Sequence, residues 1–248
     1  MSRIPKLSYQ KMFMMRSLVA LGLFVLRPVM FAQERTPDFT GVWSARGLSA
    51  NIYEKGDPLM TPWAKAQYET AKPSFGPKSV LLSQTNDPVY KCLPPGVPRI
   101  YFHPFPLQIM QIPGQVVLMF EYDHTVRHVF TDGRKHPEDA EPTWLGHSIG
   151  HWEGETLVVD TVGLKDKTWI DRLGRSHSDQ LHVVEKFKRA AADNLQIEVT
   201  IEDPKAYTEP FTVSFNMRLQ PKWDIAEMYC IDTLGFEEFE AGGRPAKQ

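Results

Sequence analysis

Alternation of apolar and polar residues with a period of two limits the fold of this chain more than any other feature. In residues 195–202, Leu, Ile, Val and Ile alternate with Gln, Glu, Thr and Glu, and residues 211–219 show the same pattern. Because successive side chains of a strand point to opposite faces, each segment predicts a strand with one buried and one wet face. Further segments of strand character, bounded by turn residues, lie at residues 115–122, 125–131, 147–152, 156–161, 180–188 and 225–231. Since helices do not alternate with these strands, the segments predict a mainly β protein. We expect an antiparallel meander of eight or more strands that closes into a barrel.

A short helix and a proline-rich stretch precede most of these strands. Thr61 and Pro62 are residue types preferred at the N-cap and first position of a helix, and they predict one short helix that ends near Lys72. Nine of the chain's 20 prolines then fall within residues 73–113. Because proline fixes φ and lacks an N–H group, we expect this stretch to be extended and irregular and to wrap over the barrel.

The first 33 residues have the composition of a signal peptide. They contain five basic residues and no acidic residue, and residues 17–26 form a largely apolar run. A run of this length is too short to cross a hydrocarbon core, which needs about 20 residues. We therefore expect residues 1–33 to be a signal peptide. Residues 34–248 are expected to form a single barrel domain that is periplasmic or secreted and has no stable membrane anchor.

Charge and cysteine content restrict the expected partners and covalent bonds. The chain has 28 basic and 30 acidic residues and no basic block, so nucleic acid is not an expected partner. Cys92 and Cys230 are its only cysteines, and an oxidising compartment allows them to pair. We predict one disulfide between them. The alternative, a reactive thiol, has no support from two cysteines so far apart.

Several stretches resemble a known family. They are residues 87–88 (Asp-Pro), 92–99 (Cys-Leu-Pro-Pro-Gly-Val-Pro-Arg), 131–137 (Thr-Asp-Gly-Arg-Lys-His-Pro) and 146–161, which begins Gly-His-Ser-Ile-Gly-His-Trp. Over most of residues 36–235 the chain is similar to an uncharacterised family of exported bacterial β-rich proteins. The resemblance implies export and a lipocalin-like barrel, but no particular reaction. Separately, residues 41–43 carry the Gly-Val-Trp that lipocalin-like barrels often have near their first strand.

Three familiar functional patterns are absent or misplaced. Residues 146–150 match G-x-S-x-G, which places a nucleophilic serine between a strand and a helix, but a hairpin is expected after Ser148. A serine hydrolase is therefore the less favoured interpretation. Histidines four residues apart on a strand lie about 13 Å apart, so we expect no metal site from such pairs, while ligands from separate strands stay an open alternative. The chain has neither G-x-G-x-x-G nor G-x-x-x-x-G-K-[ST], and no cofactor is expected.

Histidines and carboxylates near turns are the candidates for acid–base catalysis. His177 lies six residues after Asp171, and a nearby aspartate holds a histidine in one tautomer and tunes its pKa. His136 follows an Asp-Gly turn and is a second candidate. Arg134 and Arg172 lie in the same two stretches and are expected to stabilise developing negative charge. The alternative is that the aspartates only cap turns while the histidines bond to backbone.

Glu185 breaks the alternation of its strand, because it shares a face with Leu181, Val183 and Phe187. A carboxylate that points into the core is costly unless it is paired. Two interpretations stay open: Glu185 is an acid in a cavity, or it forms a structural ion pair with an arginine such as Arg127.

Two functions from different classes follow from these residues. The first is a cofactor-independent acid–base enzyme of the isomerase, lyase or hydratase type, acting on a small apolar or aromatic molecule. The second is a lipocalin-like carrier of a small hydrophobic ligand, since an eight-stranded barrel has room for one. In either case the expected ligand-binding side chains are Trp144, Trp169, Arg134, Arg172, Tyr122 and Arg127.

Overall fold

The computed structural model describes residues 36–45, 52–53 and 58–233, and the expected signal peptide lies outside this range. Nine strands form one closed barrel in which each strand neighbours the next along the chain. The strands are β1 (Gly41–Ala45), β2 (Leu107–Ile112), β3 (Gln115–Phe120), β4 (Val126–Phe130), β5 (His147–Glu153), β6 (Thr156–Val162), β7 (His182–Ala191), β8 (Asn194–Glu202) and β9 (Phe211–Leu219). The prediction of a mainly β barrel is confirmed.

The barrel core follows from the alternation in the sequence. In β8 the four apolar residues Leu195, Ile197, Val199 and Ile201 are fully buried, while the residues between them face outward. The strand pairs with β7 on one side and β9 on the other, and β9 pairs with β1 to close the barrel. Trp43 of β1 is also fully buried, and its indole N–H donates to the Phe39 carbonyl at 2.8 Å.

One neighbouring pair departs from the antiparallel order. β4 and β5 are parallel and are joined only at Val129–Ser148 and Phe130–Ile149. Parallel neighbours require a connection that runs back along the strands, and residues 131–146 provide it on the outside of the barrel. A bridge between Thr143 and Leu164 holds this connection near the end of β6. The β4–β5 seam is therefore short, and it has polar loop residues beside it.

The helix and the proline-rich stretch have the structure predicted from the sequence, with one exception. Helix α1 (Pro62–Thr70) begins after Thr61, whose hydroxyl accepts the Ala64 N–H at 3.3 Å. The stretch after it is irregular, as expected, apart from three 3₁₀ turns, and the last of these turns, Arg99–Phe102, is buried. The expectation was wrong for residues 107–112, which form β2 and pair with β3 across a tight turn at Pro113 and Gly114.

The strand expected at residues 225–231 is absent from the described part of the chain. Because β9 already pairs with β1, the closed barrel has no free edge for a further strand. The segment instead enters a single helical turn, α2 (Cys230–Thr233), and Cys230 forms the predicted disulfide with Cys92, with their Cα atoms 5.4 Å apart. No helix among the described residues is long and apolar enough to cross a membrane.

Candidate functional site

A cavity of about 370 Å³ lies beside the short β4–β5 seam. Its apolar wall includes Val126, Phe130, Trp144 and Leu145, and His147 contributes a polar edge. We call this cavity the seam crevice. The two strands share only two paired positions, and the cavity lies beside the unpaired start of β4 and residues 143–148. A volume of this size lies at the lower end of the range for sites that hold a small molecule, about 300–1,000 Å³.

A hydrogen-bonded chain of side chains ends at the seam crevice. His136, from the connection between β4 and β5, places its Nε2 2.8 Å from Oδ1 of Asp160 on the outer face of β6. Its Nδ1 lies 2.8 Å from Nδ1 of His147, the first residue of β5. The long connection thus brings together three groups that are distant in sequence. Asp160, His136 and His147 form what we call the relay.

Proton positions in the relay follow from the acceptor character of the carboxylate. Ionised Asp160 only accepts, so His136 donates through Nε2; when His136 carries no second proton, its Nδ1 accepts the Nδ1–H of His147. This arrangement leaves Nε2 of His147 unprotonated. Burial lowers the pKa of His147 below its usual value, and the charge of His136, when that ring is protonated, and the charge of Arg134 act in the same direction. His147 is therefore a neutral imidazole at neutral pH, with a basic nitrogen available beside the crevice.

A second histidine stabilises the ionised form of Asp160. His182 of β7 places Nε2 2.9 Å from Oδ2 of Asp160 and Nδ1 3.4 Å from Glu202. Burial alone would raise the pKa of Asp160, but the hydrogen bonds from His182 and His136 lower it. Burial likewise opposes protonation of His182, yet Asp160 and Glu202 raise its pKa. Asp160 therefore remains a carboxylate that can hold His136 in place.

The arginine predicted beside His136 lies close to the crevice. Arg134 pairs with Asp132 in the exposed turn after β4, with its Nε 2.9 Å from Oδ1 of Asp132. Its guanidinium lies 3.8 Å from the ring centre of Phe130, which lines the crevice. Trp144, another predicted ligand-binding residue, lies in the crevice wall, with the Lys165 ammonium 5.1 Å from its ring centre. The structure therefore gathers His136, Arg134 and Trp144 at one place.

Glu185 points into the barrel, as its place in the alternation indicated, and it forms an ion pair with Arg127. The two side chains are 0% and 1% exposed, and Nη1 of Arg127 lies 2.8 Å from Oε1 of Glu185. Tyr101, from the buried 3₁₀ turn, donates to Glu185 at 2.6 Å. Burial would lower the pKa of Arg127, but the Glu185 carboxylate raises it. The ion pair and the Tyr101 ring occupy the barrel interior.

Ser148 belongs to this buried network rather than to a nucleophilic turn. It lies within β5, and its hydroxyl is 3.1 Å from Nε of Arg127 and 3.0 Å from the Thr161 hydroxyl. Neither partner is a base able to take the serine proton. The G-x-S-x-G match therefore lacks the strand–turn–helix context and the base that a serine hydrolase needs.

His177 and Asp171 do not contact each other through any hydrogen bond among the described residues. Asp171 is fully buried, pairs with Arg175 and accepts the Leu173 N–H at 2.9 Å. His177 lies 2.8 Å from the Thr168 hydroxyl through Nε2 and donates to the Ser178 carbonyl through Nδ1. Burial lowers the pKa of His177 and raises that of Asp171. Both side chains form their hydrogen bonds within the loop between β6 and β7.

The remaining predicted residues lie elsewhere. Arg172 and Tyr122 line a second cavity near the disulfide, and Trp169 is buried with the Arg99 guanidinium 5.7 Å from its ring centre. No group of three or more histidine, cysteine or carboxylate side chains in the described ranges is placed to hold a metal ion.

Sequence reasoning missed His147 and Asp160 as members of a site. Asp160 did leave a signal, since it is the only charged residue of β6. His147 left no comparable signal, because its partner His136 reaches it only through the long connection outside the barrel.

Comparison with protein-family models, with curated proteins and with solved structures found no match.

Proposed function

We propose that this protein is a cofactor-independent acid–base enzyme that acts on a small apolar or aromatic molecule bound in the seam crevice. The observation that carries the proposal is the relay, in which Asp160 orients His136 and His136 orients His147 at the crevice wall. A positioned base contributes about 10²–10⁴-fold to a proton transfer. We infer that Nε2 of His147 is that base.

The reaction class that fits is an isomerisation, or another reaction that starts with proton abstraction. His147 removes a proton from the substrate, becomes an imidazolium, and returns the proton at a different position. No electron is gained or lost in this cycle, so it needs no redox partner. Arg134, which stacks on Phe130 beside the crevice, is suited to stabilise the negative charge that develops on the substrate.

The barrel interior supports placing the site at the seam. A carrier of the lipocalin type holds its ligand inside the barrel. Here Tyr101, Arg127 and Glu185 meet in that interior. The rings of Phe120 and Phe215 pack on Tyr101, with their ring centres 5.5 and 5.6 Å from that of Tyr101. The crevice borders this network at Arg127 and Ser148, lies beside the relay, and is lined by the aromatic side chains Phe130 and Trp144.

We also infer that the protein is exported. The disulfide between Cys92 and Cys230 supports an oxidising compartment, and the basic, acid-free amino-terminal segment supports passage through a membrane.

The proposal is tested by incubating the protein with a complex small-molecule extract and following new products by mass spectrometry. His147→Ala is the test variant. His151→Ala is the matched control, because His151 also belongs to β5 but its side chain is 62% exposed and forms a hydrogen bond only with Glu153 among the described residues. A product formed by the wild type and by His151→Ala, but not by His147→Ala, supports the proposal. A product that persists in His147→Ala, or ligand depletion without any product, overturns it in favour of another site or a carrier.

A further inference from the structure

A second cavity, of about 300 Å³, lies between the proline-rich stretch and the loop that follows β6. It shares no lining residue with the seam crevice. The side chains that matter for its chemistry are Phe75, Tyr90, Arg99, His103, Tyr122 and Arg172. We call it the arginine pocket.

Two buried nitrogen atoms in the arginine pocket have no hydrogen-bond partner in the part of the chain that the structure describes. They are Nε2 of His103 and Nε of Arg99. The two residues are 7% and 2% exposed, respectively. Buried polar groups are nearly always hydrogen-bonded, because an unpaired one costs about 1–3 kcal/mol. Both residues line the same cavity, so a molecule inside it is placed to supply the missing partners.

The charges around the arginine pocket favour an anion. Asp87 neutralises Arg99 through two hydrogen bonds of 2.8 and 2.6 Å. Arg172 has no carboxylate partner among the described residues, and its guanidinium stacks 3.5 Å from the ring centre of Phe75. Burial lowers the pKa of Arg172 and the nearby Arg99 lowers it further, while Tyr90 and Asp87 offset part of this effect. One positive charge therefore remains uncompensated at the pocket wall.

His103 adds a neutral donor and acceptor to this cationic wall. Burial, Arg99 and Arg172 lower its pKa to about 3, so the imidazole is uncharged at neutral pH. One of its nitrogens donates while the other accepts. Its ring packs on Tyr122 with the ring centres 4.7 Å apart, and burial raises the pKa of Tyr122 to about 12, which keeps that phenol neutral.

Aromatic side chains form most of the remaining wall. Phe75, Tyr90 and Tyr122 surround the polar groups, and Phe105 packs on Tyr122 with ring centres 5.4 Å apart. Such walls favour a flat ring, since aromatic pairs are worth about 0.5–1.5 kcal/mol beyond the burial of area.

The wall of the pocket is fixed by contacts that do not involve a ligand. The disulfide ties the turn at Pro88–Lys91 to the carboxyl-terminal segment, since Cys92 directly follows that turn. Asp87 accepts the Val89 N–H at 3.1 Å, and the Tyr122 hydroxyl lies 3.4 Å from Sγ of Cys230. A pocket held in this way binds without a large ordering cost.

We propose that the arginine pocket binds a small aromatic carboxylate, with the carboxylate paired to Arg172, the ring between Phe75 and Tyr122, and His103 as a hydrogen-bond partner. The charged group and the ring match the two kinds of wall in the pocket. This site is independent of the proposed catalysis at the seam crevice.

The test is calorimetric titration of the protein with benzoate, phenylacetate and cinnamate, with benzamide as the uncharged counterpart of benzoate. We expect at least one of the three carboxylates to bind, and benzamide to bind at least 10-fold more weakly than benzoate if benzoate is the ligand. Arg172→Gln is expected to weaken carboxylate binding by 10-fold or more, and His103→Gln to weaken it to a smaller extent. Arg218→Gln is the control, because Arg218 is 56% exposed on β9 and pairs with Asp193.

Thermal unfolding of each variant separates loss of the site from loss of the fold. Failure of all three carboxylates to bind, equal binding of benzoate and benzamide, or unchanged affinity in Arg172→Gln overturns the proposal. Titration of His147→Ala keeps the two sites apart, since this variant is expected to bind the carboxylate normally whether or not the crevice is catalytic.

Discussion

Replacing Glu185 by glutamine tests whether the ion pair inside the barrel supports the fold. Glutamine keeps the size of the side chain but removes its charge, which leaves the buried Arg127 guanidinium without a counter-ion. Breaking one side of a buried pair costs about 3–5 kcal/mol, because the remaining charge has lost both water and its partner. A barrel of this size has a total stability of about 5–15 kcal/mol, so the expected effect is a large part of the whole.

Two further variants separate the charge from the hydrogen bonds. Tyr101→Phe removes a hydroxyl that lies 2.7 Å from Arg127 and 2.6 Å from Glu185, while the ion pair stays, and we expect a loss of about 1–2 kcal/mol. The triple variant Arg127→Met, Glu185→Met and Tyr101→Phe removes the whole charged network, while Ser148 and Thr161 keep their mutual bond of 3.0 Å. Since it leaves no unpaired charge at this place in the barrel interior, we expect it to be more stable than Glu185→Gln alone.

Urea unfolding followed by tryptophan fluorescence measures these differences. Asp132→Asn is the control, because Asp132 and Arg134 form an ion pair that is exposed on the surface, and we expect little change from it. The reasoning is refuted if Glu185→Gln is no more destabilising than Asp132→Asn, or if the triple variant is the least stable of the set. If Glu185→Gln fails to fold, a triple variant that folds agrees with the reasoning, and a triple variant that also fails to fold refutes it.

Three other predictions concern pH, the disulfide and export. The raised pKa of His182 makes its contact with Asp160 stabilising below the ordinary histidine value of about 6.5, and the contact is lost as pH rises through the raised value. The pKa of Asp160 is lowered, so the same contact is also lost when pH falls through the lowered pKa of Asp160 and the carboxylate becomes protonated. His182→Gln is therefore expected to lower the melting temperature most between about pH 4 and 6.5, and an effect that grows above pH 8 contradicts this. Replacing Cys92 and Cys230 by serine opens a loop of 138 residues and is expected to cost about 4–5 kcal/mol in urea unfolding, whereas an unchanged midpoint would show that the bond does not constrain the unfolded chain. Mass spectrometry of the protein recovered from a producing bacterium is expected to show a chain without residues 1–33; an intact amino terminus argues against export.

The strands were predictable where one face is buried and the other is wet. In β8 and β9 the alternation identified the buried residues from the sequence alone. The same reasoning assigned a strand to residues 225–231, because local pattern does not show that β9 has already closed the barrel on β1. It missed β2, because the prolines around Leu107 and Ile112 hid a strand whose place depends on pairing with β3.

The candidate site was predictable only in part, because its contacts are long-range. The inward orientation of Glu185 followed from the period of its strand, and Arg127 was named as one possible partner. His136 was named for its place after a turn, but its partners lie on β5 and β6. Their meeting depends on the connection that makes β4 and β5 parallel. His177 and Asp171, chosen for closeness in sequence, use their polar atoms to bond to the surrounding loop instead.

Hydrogen–deuterium exchange into substrate is the most direct test of the claim that His147 moves a proton. The extract is incubated in D₂O with the wild type, His147→Ala or His151→Ala, and molecules that gain about one mass unit are identified by mass spectrometry. A histidine base exchanges its proton with solvent, so we expect the wild type and His151→Ala to place deuterium on a carbon of one compound. We expect His147→Ala to place none. Equal deuterium incorporation by His147→Ala, or no incorporation by the wild type, would contradict the assignment of the seam crevice as an acid–base site.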